Sequence, residues 1–191
     1  MSGAPCILVI AELAQGKPSK LTCELLGLAR GLGDARGGAV AAALLATRVD
    51  GIAEELIARG ADRVYAMERD AFGDYHSESW VCTATQICRQ AVPEAVLIGH
   101  TTSGADLAPR LTFRLGAAVA TGCVDVSFTA GKLAFTRPCF GGNARETVSF
   151  KTAPAVATVR AGCYDALAPD SKRRGEVVRI EPRLGEEVVR V

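Results

Sequence analysis

The 191-residue sequence lacks an excess of either charge, since 22 basic and 21 acidic side chains leave a formal net charge of +1. General nucleic-acid binding requires clustered Lys and Arg that neutralise phosphates, so no nucleic-acid partner is expected. The sequence also lacks the composition of a disordered chain, because 49% of its residues are hydrophobic. These two exclusions favour a globular α/β domain with one core of ordinary size.

Long hydrophobic runs are absent as well. The first apolar run, residues 6–11, has the length of a strand, far below the roughly 20 apolar residues that span a bilayer. No basic segment precedes this run, which argues against a secretory signal. We therefore predict a cytoplasmic protein without a membrane span.

Residues for metal and covalent chemistry are few or unsuitably spaced. The seven cysteines include no C-x-x-C pair, and only His76 and His100 could join them as zinc ligands. The catalytic motifs G-x-S-x-G and H-E-x-x-H are missing, as are the glycine patterns of dinucleotide and P-loop sites. We expect no metal site and no catalytic residues in this chain.

The first half of the sequence alternates short apolar runs with helical stripes. Continuous apolar runs are typical of strands buried on both faces of a parallel sheet, whereas apolar residues spaced by three or four indicate helices. The predicted strands are residues 6–11, 40–45, 63–67 and 95–99. The first predicted helix carries Leu21 to Leu32 and ends near Gly33, and the second spans 52–57 with Gly60 as its C-cap. The third carries Trp80 to Ala91. The fourth spans 106–115, with Asp106 as its N-cap and Pro109 in its first turn.

Beyond Gly116 the pattern changes to strand-like runs. Two of them flank a turn with Gly131, which predicts a β-hairpin. The predicted strands of this half are residues 124–128, 133–137, 147–150 and 155–159. We predict a three-layer α/β fold with a parallel sheet, of the Rossmann-like or adenine nucleotide alpha hydrolase-like type, and a C-terminal antiparallel β extension.

The end of the sequence is more polar than the rest. Residues 1–165 form the predicted domain, and residues 166–191 form a polar linker or tail. Within this tail, residues 177–191 can add one or two edge strands.

Two segments are candidate binding sites. Ligands of open α/β sheets bind beyond the carboxyl ends of the strands, and the loop after residues 95–99 runs into a helix. Its Thr102, Ser103 and Gly104 form a candidate anion site, because free N–H groups at a helix N-terminus attract negative charge. An ordinary helix cap without a ligand is the alternative, since Ser and Thr are favoured there anyway.

The second candidate is the segment at residues 136–143, where adjacent glycines and an Asn tolerate left-handed backbone geometry. It is either a partner interface, a ligand site, or a β-turn that needs its glycines. The residues assigned to a partner interface are Arg137, Pro138, Gly141, Gly142 and Asn143.

Several blocks of this sequence, in order, resemble the N-terminal domain of the electron transfer flavoprotein alpha subunit. The resemblance runs from Ile7 to about Gly162. Its blocks are Val9-Ile10-Ala11-Glu12, Gly16-Lys17, Glu24-Leu25-Leu26-Gly27, Gly60-Ala61-Asp62-Arg63-Val64-Tyr65, Gly104-Ala105-Asp106-Leu107-Ala108-Pro109-Arg110-Leu111 with Arg114-Leu115-Gly116, Arg137-Pro138-Cys139-Phe140-Gly141-Gly142-Asn143, and Thr158-Val159-Arg160. Cys139 and Phe140 depart from the residues usual in the family.

The resemblance implies a role in electron transfer. Alpha and beta subunits of that family form a heterodimer that takes electrons from dehydrogenases and passes them to an acceptor. The FAD is held mainly by a separate C-terminal domain of the alpha subunit, and the N-terminal domain is a scaffold that packs with the beta subunit. The flavin-binding segments are not found in these 191 residues, so FAD is expected only in a complex with partner sequence.

Three interpretations remain open. The chain is a scaffold subunit that pairs with a beta-like subunit and with flavin-binding sequence on another chain. Alternatively, it is a nucleotide-binding regulatory module of the universal stress protein type, which the parallel sheet and the loop at 99–104 would suit. Finally, it is a domain of a longer alpha subunit.

Overall fold

A seven-stranded parallel sheet forms the centre of the structure, a computed structural model that describes residues 6–181. In chain order the elements are β1 (Cys6–Ile10), β2 (Leu13–Ala14), β3 (Lys17–Pro18), α1 (Lys20–Arg36), β4 (Ala39–Ala46), α2 (Ile52–Ala58), β5 (Arg63–Glu68), α3 (Ser77–Ala91), β6 (Ala95–Gly99), α4 (Thr102–Leu115), β7 (Ala118–Cys123), β8 (Asp125–Thr129), β9 (Lys132–Cys139), β10 (Ala144–Val148), β11 (Ala155–Val159) and β12 (Glu176–Arg179).

The strand order of the central sheet is β12-β5-β4-β1-β6-β11-β7, and all six pairings are parallel. A parallel sheet needs a cover on both faces, which explains the continuous apolar runs of its strands. Residues alternate between the faces, so Ile7 and Val9 of β1 belong to one core while Leu8 and Ile10 belong to the other. The predicted three-layer α/β fold is confirmed.

The two outer layers differ in composition. Helices α3 and α4 cover one face. Helices α1 and α2 cover the other, together with a three-stranded antiparallel sheet of order β10-β9-β8. Phe135 of β9 is fully buried in the same core as α1, and the Arg36 guanidinium of α1 lies 5.0 Å from the Phe128 ring of β8. The antiparallel sheet is therefore part of the layer and not a separate appendage.

Two strands correct the sequence prediction of the second half. Strand β11, predicted as part of the antiparallel extension, lies inside the parallel sheet between β6 and β7. Strand β7 was not predicted at all, because its AVATGC sequence carries small residues and a glycine rather than a long apolar run. Pairing with the fully buried β11 supplies the stabilisation that this local sequence lacks.

The helix ends also differ from the prediction. Helix α1 continues past Gly33 to Arg36, with left-handed Gly37 as its C-cap. Helix α2 ends at Ala58, and its C-cap is Arg59 rather than Gly60. Helix α4 begins at Thr102, capped by Thr101, so Asp106 is not its N-cap and Pro109 lies in the helix interior. Thr101 is the N-cap because its hydroxyl accepts the N–H of Gly104 at 3.0 Å. The Asp106 carboxylate instead accepts a hydrogen bond from the Tyr75 hydroxyl at 2.7 Å.

The polar stretch after β11 lies against the domain surface. The Gly162 N–H donates to the Glu24 carboxylate at 2.7 Å, and the Arg173 guanidinium donates to Asp62 at 2.6 Å. Strand β12 then pairs with β5 as an edge of the central sheet. Residues 182–191, where the predicted tail continues, lie outside the described residues.

Candidate functional site

A cleft of about 500 Å³ opens at the carboxyl edge of the central sheet. Strand β1 lies between β4 and β6. The loops after β1 and β4 lead to α1 and α2 on one face of the sheet, whereas the loop after β6 leads to α4 on the other face. Such a reversal of strand order leaves a crevice where open α/β sheets bind ligands. The loops after β1, β4 and β5 and the first turns of α4 line the cleft, with Ile10, Leu45 and Leu107 among its apolar residues. The size is within the range of small-molecule sites.

Glu12 occupies the point where β1 ends, and its backbone is held from two sides. The Glu12 N–H donates to the Thr22 hydroxyl at 2.8 Å, and that hydroxyl donates to the Glu12 carbonyl at 2.8 Å. The carboxylate accepts a hydrogen bond from the Thr101 hydroxyl at 2.8 Å. Burial raises the pKa of Glu12, although the hydrogen bond from Thr101 opposes the shift. A carboxyl group is thus positioned at the cleft by contacts with α1 and with the cap of α4.

An aromatic cluster forms the opposite side of the cleft. The ring centroids of Phe72 and Tyr75 lie 6.3 and 5.5 Å from that of Trp80, and all three residues line the cleft. Burial, together with the hydrogen bond to Asp106, raises the pKa of Tyr75 to about 12. Tyr75 therefore keeps its proton at neutral pH and acts as a hydrogen-bond donor to Asp106.

The predicted anion residues belong to the inner loop (residues 99–104). Its Gly104 N–H is already bonded to Thr101, and a Cβ at Gly104 would lie 1.9 Å from the Gly99 carbonyl oxygen. Ser103 lines the cleft, whereas the adjacent Thr102 is exposed. The structure thus gives Gly104 a packing role, and the anion site stays a prediction for the two hydroxyl residues.

Next to this loop, the ends of β6, β11 and β7 meet at a buried hydroxyl. Thr158 is fully buried, and its Oγ1 accepts the Gly122 N–H at 2.8 Å and lies 2.9 Å from Nδ1 of His100. A Cβ at Gly122 would lie 3.5 Å from both the Arg160 and His100 side chains. The exposed side chains of His100 and Arg160 therefore both lie beside the Gly122 backbone.

The residues predicted for a partner interface belong to the outer turn (residues 137–143), which joins β9 to β10 in the antiparallel sheet. Gly141 and Gly142 both have positive φ, and a Cβ at either would contact nothing within 4 Å. Phe140 also has positive φ and is 81% exposed. Arg137 pairs with Glu146 across the strands at 2.7 Å. The inner loop follows a strand of the central sheet, whereas the outer turn belongs to the antiparallel sheet.

Glu12, Tyr75 and Trp80 line the cleft but were not assigned to a site from the sequence. The available signal was the position of Glu12 directly after the first strand, because the carboxyl ends of parallel strands share one edge. Its partners follow other strands of the same sheet and cannot be paired without the strand order.

Residues 6–181 contain neither a candidate metal site nor a candidate membrane span. No group of three or more His, Cys, Asp or Glu side chains there could hold a metal ion. None of the seven cysteines, all of which lie within the described residues, forms a disulfide. Burial raises the pKa of Cys88 to about 12 and that of Cys123 to about 11. Across the same part of the chain, no helix has both the length and the apolar character needed to cross a membrane.

Comparison with known proteins gives consistent matches. The model of the electron transfer flavoprotein domain matches residues 7–184. The electron transfer flavoprotein subunit alpha of Thermoanaerobacterium thermosaccharolyticum is 33% identical over 96% of this chain and 56% of its own length. That of Bacillus subtilis is 32% identical over 93% of this chain and 54% of its own length. Protein FixB of Clostridium saccharobutylicum is 32% identical with the same coverage. The chain spans about half the length of these relatives.

Proposed function

Because this chain belongs to the electron transfer flavoprotein domain family, we propose that it is a scaffold component of an electron transfer flavoprotein-like complex. Relatives named as alpha subunits match nearly the whole chain, which confirms the resemblance drawn from the sequence blocks. In the proposed complex, which is cytoplasmic, a beta-like subunit packs against this chain and FAD is held mostly by partner sequence. Electrons pass from a dehydrogenase through the flavin to an acceptor.

The observation that supports the partner role most directly is the outer turn. Phe140 is an apolar side chain held out at 81% exposure by a left-handed backbone conformation. A non-glycine residue at positive φ costs free energy, and burial of the Phe140 ring in a partner would offset that cost. Aromatic residues at interface centres contribute a large share of association energy.

The nucleotide-binding alternative finds no comparable support. No Lys, Arg or His is among the described residues that line the cleft, which include Glu12 and Asp74. A nucleotide phosphate would therefore meet carboxylates and no cation.

The test is co-expression of this chain with a beta-like subunit and the flavin-binding sequence. The complex should be yellow and the chain purified alone colourless. Phe140→Ser should weaken association with the beta-like subunit by roughly tenfold or more. The matched control is Phe113→Ser, which removes an equally apolar side chain that is 88% exposed on α4.

Two outcomes would contradict the proposal. Failure of the chain to associate with either partner would remove the scaffold role. Unchanged affinity of the Phe140→Ser variant for the beta-like subunit would show that the outer turn is not the contact surface.

A further inference from the structure

Two basic side chains at the carboxyl edge of the central sheet have no part in the scaffold role. His100 directly follows β6, and Arg160 directly follows the neighbouring strand β11. Backbone hydrogen bonds hold both positions, since the His100 N–H donates to the Val159 carbonyl at 2.8 Å and the Arg160 N–H donates to the Cys123 carbonyl at 2.9 Å. Both side chains are exposed, at the edge where open α/β sheets bind their ligands.

The two side chains converge beside Gly122 of β7. A Cβ at Gly122 would lie 3.5 Å from Nε2 of His100 and 3.5 Å from Nε of Arg160. The two nitrogens are therefore no farther apart than twice that distance. Each oxygen of a carboxylate or phosphate group accepts a hydrogen bond from such a nitrogen at about 2.8 Å, so one group with two oxygens can reach both.

A buried hydroxyl orients the His100 ring. Thr158 is fully buried, and its Oγ1 accepts the Gly122 N–H at 2.8 Å. The hydroxyl hydrogen is directed at Nδ1 of His100, 2.9 Å away. With Nδ1 as the acceptor, the neutral ring carries its proton on Nε2, the nitrogen that lies beside Gly122. The fold thus presents an N–H donor and a guanidinium at the same place.

The charge of this pair is not neutralised within residues 6–181. Neither His100 nor Arg160 forms an ion pair there. The carboxylates that follow the neighbouring strands have partners of their own, since Glu12 accepts a hydrogen bond from the cap of α4 and Asp125 accepts one from Tyr164 at 3.2 Å. The positive charge of Arg160 therefore favours an external anion.

We propose that His100 and Arg160 bind the phosphate or carboxylate group of a small molecule. The His100 Nε2–H donates to one oxygen, and the Arg160 guanidinium donates to a second oxygen and supplies the positive charge. Thr158 is a positioning residue, because it acts only through the His100 ring. The site is made by this chain alone and does not require a partner subunit.

Nuclear magnetic resonance of the histidine rings tests the site on the full chain. The sequence has two histidines, so His76 is an internal reference. Inorganic phosphate and, in a separate titration, acetate are added at about pH 8, where an ordinary histidine is neutral, and at constant ionic strength. At least one ion should shift the His100 ring signals in a saturable way and leave those of His76 unchanged. The ion that saturates at the lower concentration identifies the preferred group.

A matched pair of variants tests the role of the guanidinium. Arg160→Gln should weaken binding at least about fivefold, because it removes the charge and the forked N–H donors. Arg145→Gln makes the same change at an exposed position of β10 and should leave binding unchanged.

A second pair tests the positioning role of Thr158. Thr158→Val removes the donor to Nδ1, so the ring nitrogen signals of His100 should change from the Nε2–H tautomer to a mixture of tautomers, and binding should weaken. Thr158→Ser retains the hydroxyl and should keep both the tautomer and the affinity.

The proposal is overturned if neither ion gives a saturable shift at His100. It is also overturned if Arg160→Gln binds as tightly as Arg145→Gln, or if the neutral His100 ring of the unaltered chain carries its proton on Nδ1.

Discussion

The inner loop and the outer turn both contain two glycines but use them in different ways. In the inner loop, Gly104 packs so closely that a Cβ would lie 1.9 Å from the Gly99 carbonyl oxygen, and its N–H is bonded. In the outer turn, Gly141 and Gly142 face open space and are required by their positive φ alone. The same glycine signal therefore marks a packed helix start in one case and an exposed turn in the other.

Because of this difference, we expect the inner loop to contribute mainly to the stability of the fold and the outer turn mainly to partner binding. Substitutions of Thr101 and Gly104 in the inner loop should mainly destabilise the fold, since the Thr101 hydroxyl and the Gly104 N–H are bonded within the chain. Substitutions in the outer turn should mainly affect association with a partner, since its apolar residue Phe140 is 81% exposed and has little internal contact to lose.

The largest expected effect is that of Gly104→Ala compared with Gly141→Ala. The first variant forces α4 away from β6 and should lower the free energy of unfolding by about 3 kcal/mol. The second only strains a left-handed residue and should cost about 1 kcal/mol. Urea unfolding measures both, and equal losses would contradict the contrast between the two loops.

Thr101→Val tests the cap of α4. The variant loses the acceptor for the Gly104 N–H and the donor to Glu12, which should cost about 2 kcal/mol of unfolding free energy. Thr136→Val is the control, because the Thr136 hydroxyl bonds Thr147 at 2.8 Å in an exposed position. The control should stay within about 0.5 kcal/mol of the unaltered chain, and a loss as large as that of Thr101→Val would refute the assignment.

Glu12→Gln should change the pH dependence of stability. Burial raises the pKa of Glu12 above its ordinary value of 4.5, so the folded state binds this proton more tightly than the unfolded state. The unaltered chain therefore loses stability as pH rises through the folded pKa. The variant lacks this loss, and its stability relative to the unaltered chain should rise over that interval and stay flat below pH 4.5. Urea unfolding across this pH range is the measurement, and a constant difference would contradict the expectation.

The smallest effect on stability is expected for Arg137→Met in the outer turn. Arg137 pairs with Glu146 at 2.7 Å, but both side chains are about 40% exposed, and such pairs contribute less than about 1 kcal/mol. A double-mutant cycle with Glu146→Gln measures the coupling in unfolding experiments. A coupling of several kcal/mol would show that the outer turn is held as tightly as the inner loop.

The sequence predicted those elements whose signal is local. The strands near 6–11 and 95–99 were recognised because both faces are buried, and the hairpin turn because Ala130 and Gly131 adopt the left-handed conformation that such turns need. Strand β7 could not be predicted from the local sequence, because the residues of β11 with which it pairs lie more than thirty positions away along the chain. The N-cap of α4 was misplaced because Thr101 and Asp106 are both acceptable caps in sequence.

The sequence by itself determined the fold class and the family, because apolar periodicity and ordered blocks of residues are properties of the linear chain. Only the tertiary structure decided that Glu12 meets Thr101 and that β11 lies inside the parallel sheet. Strand order brings together residues far apart along the chain, and no local propensity specifies that order. The cleft exists only where the loops after β1, β4 and β5 meet the start of α4.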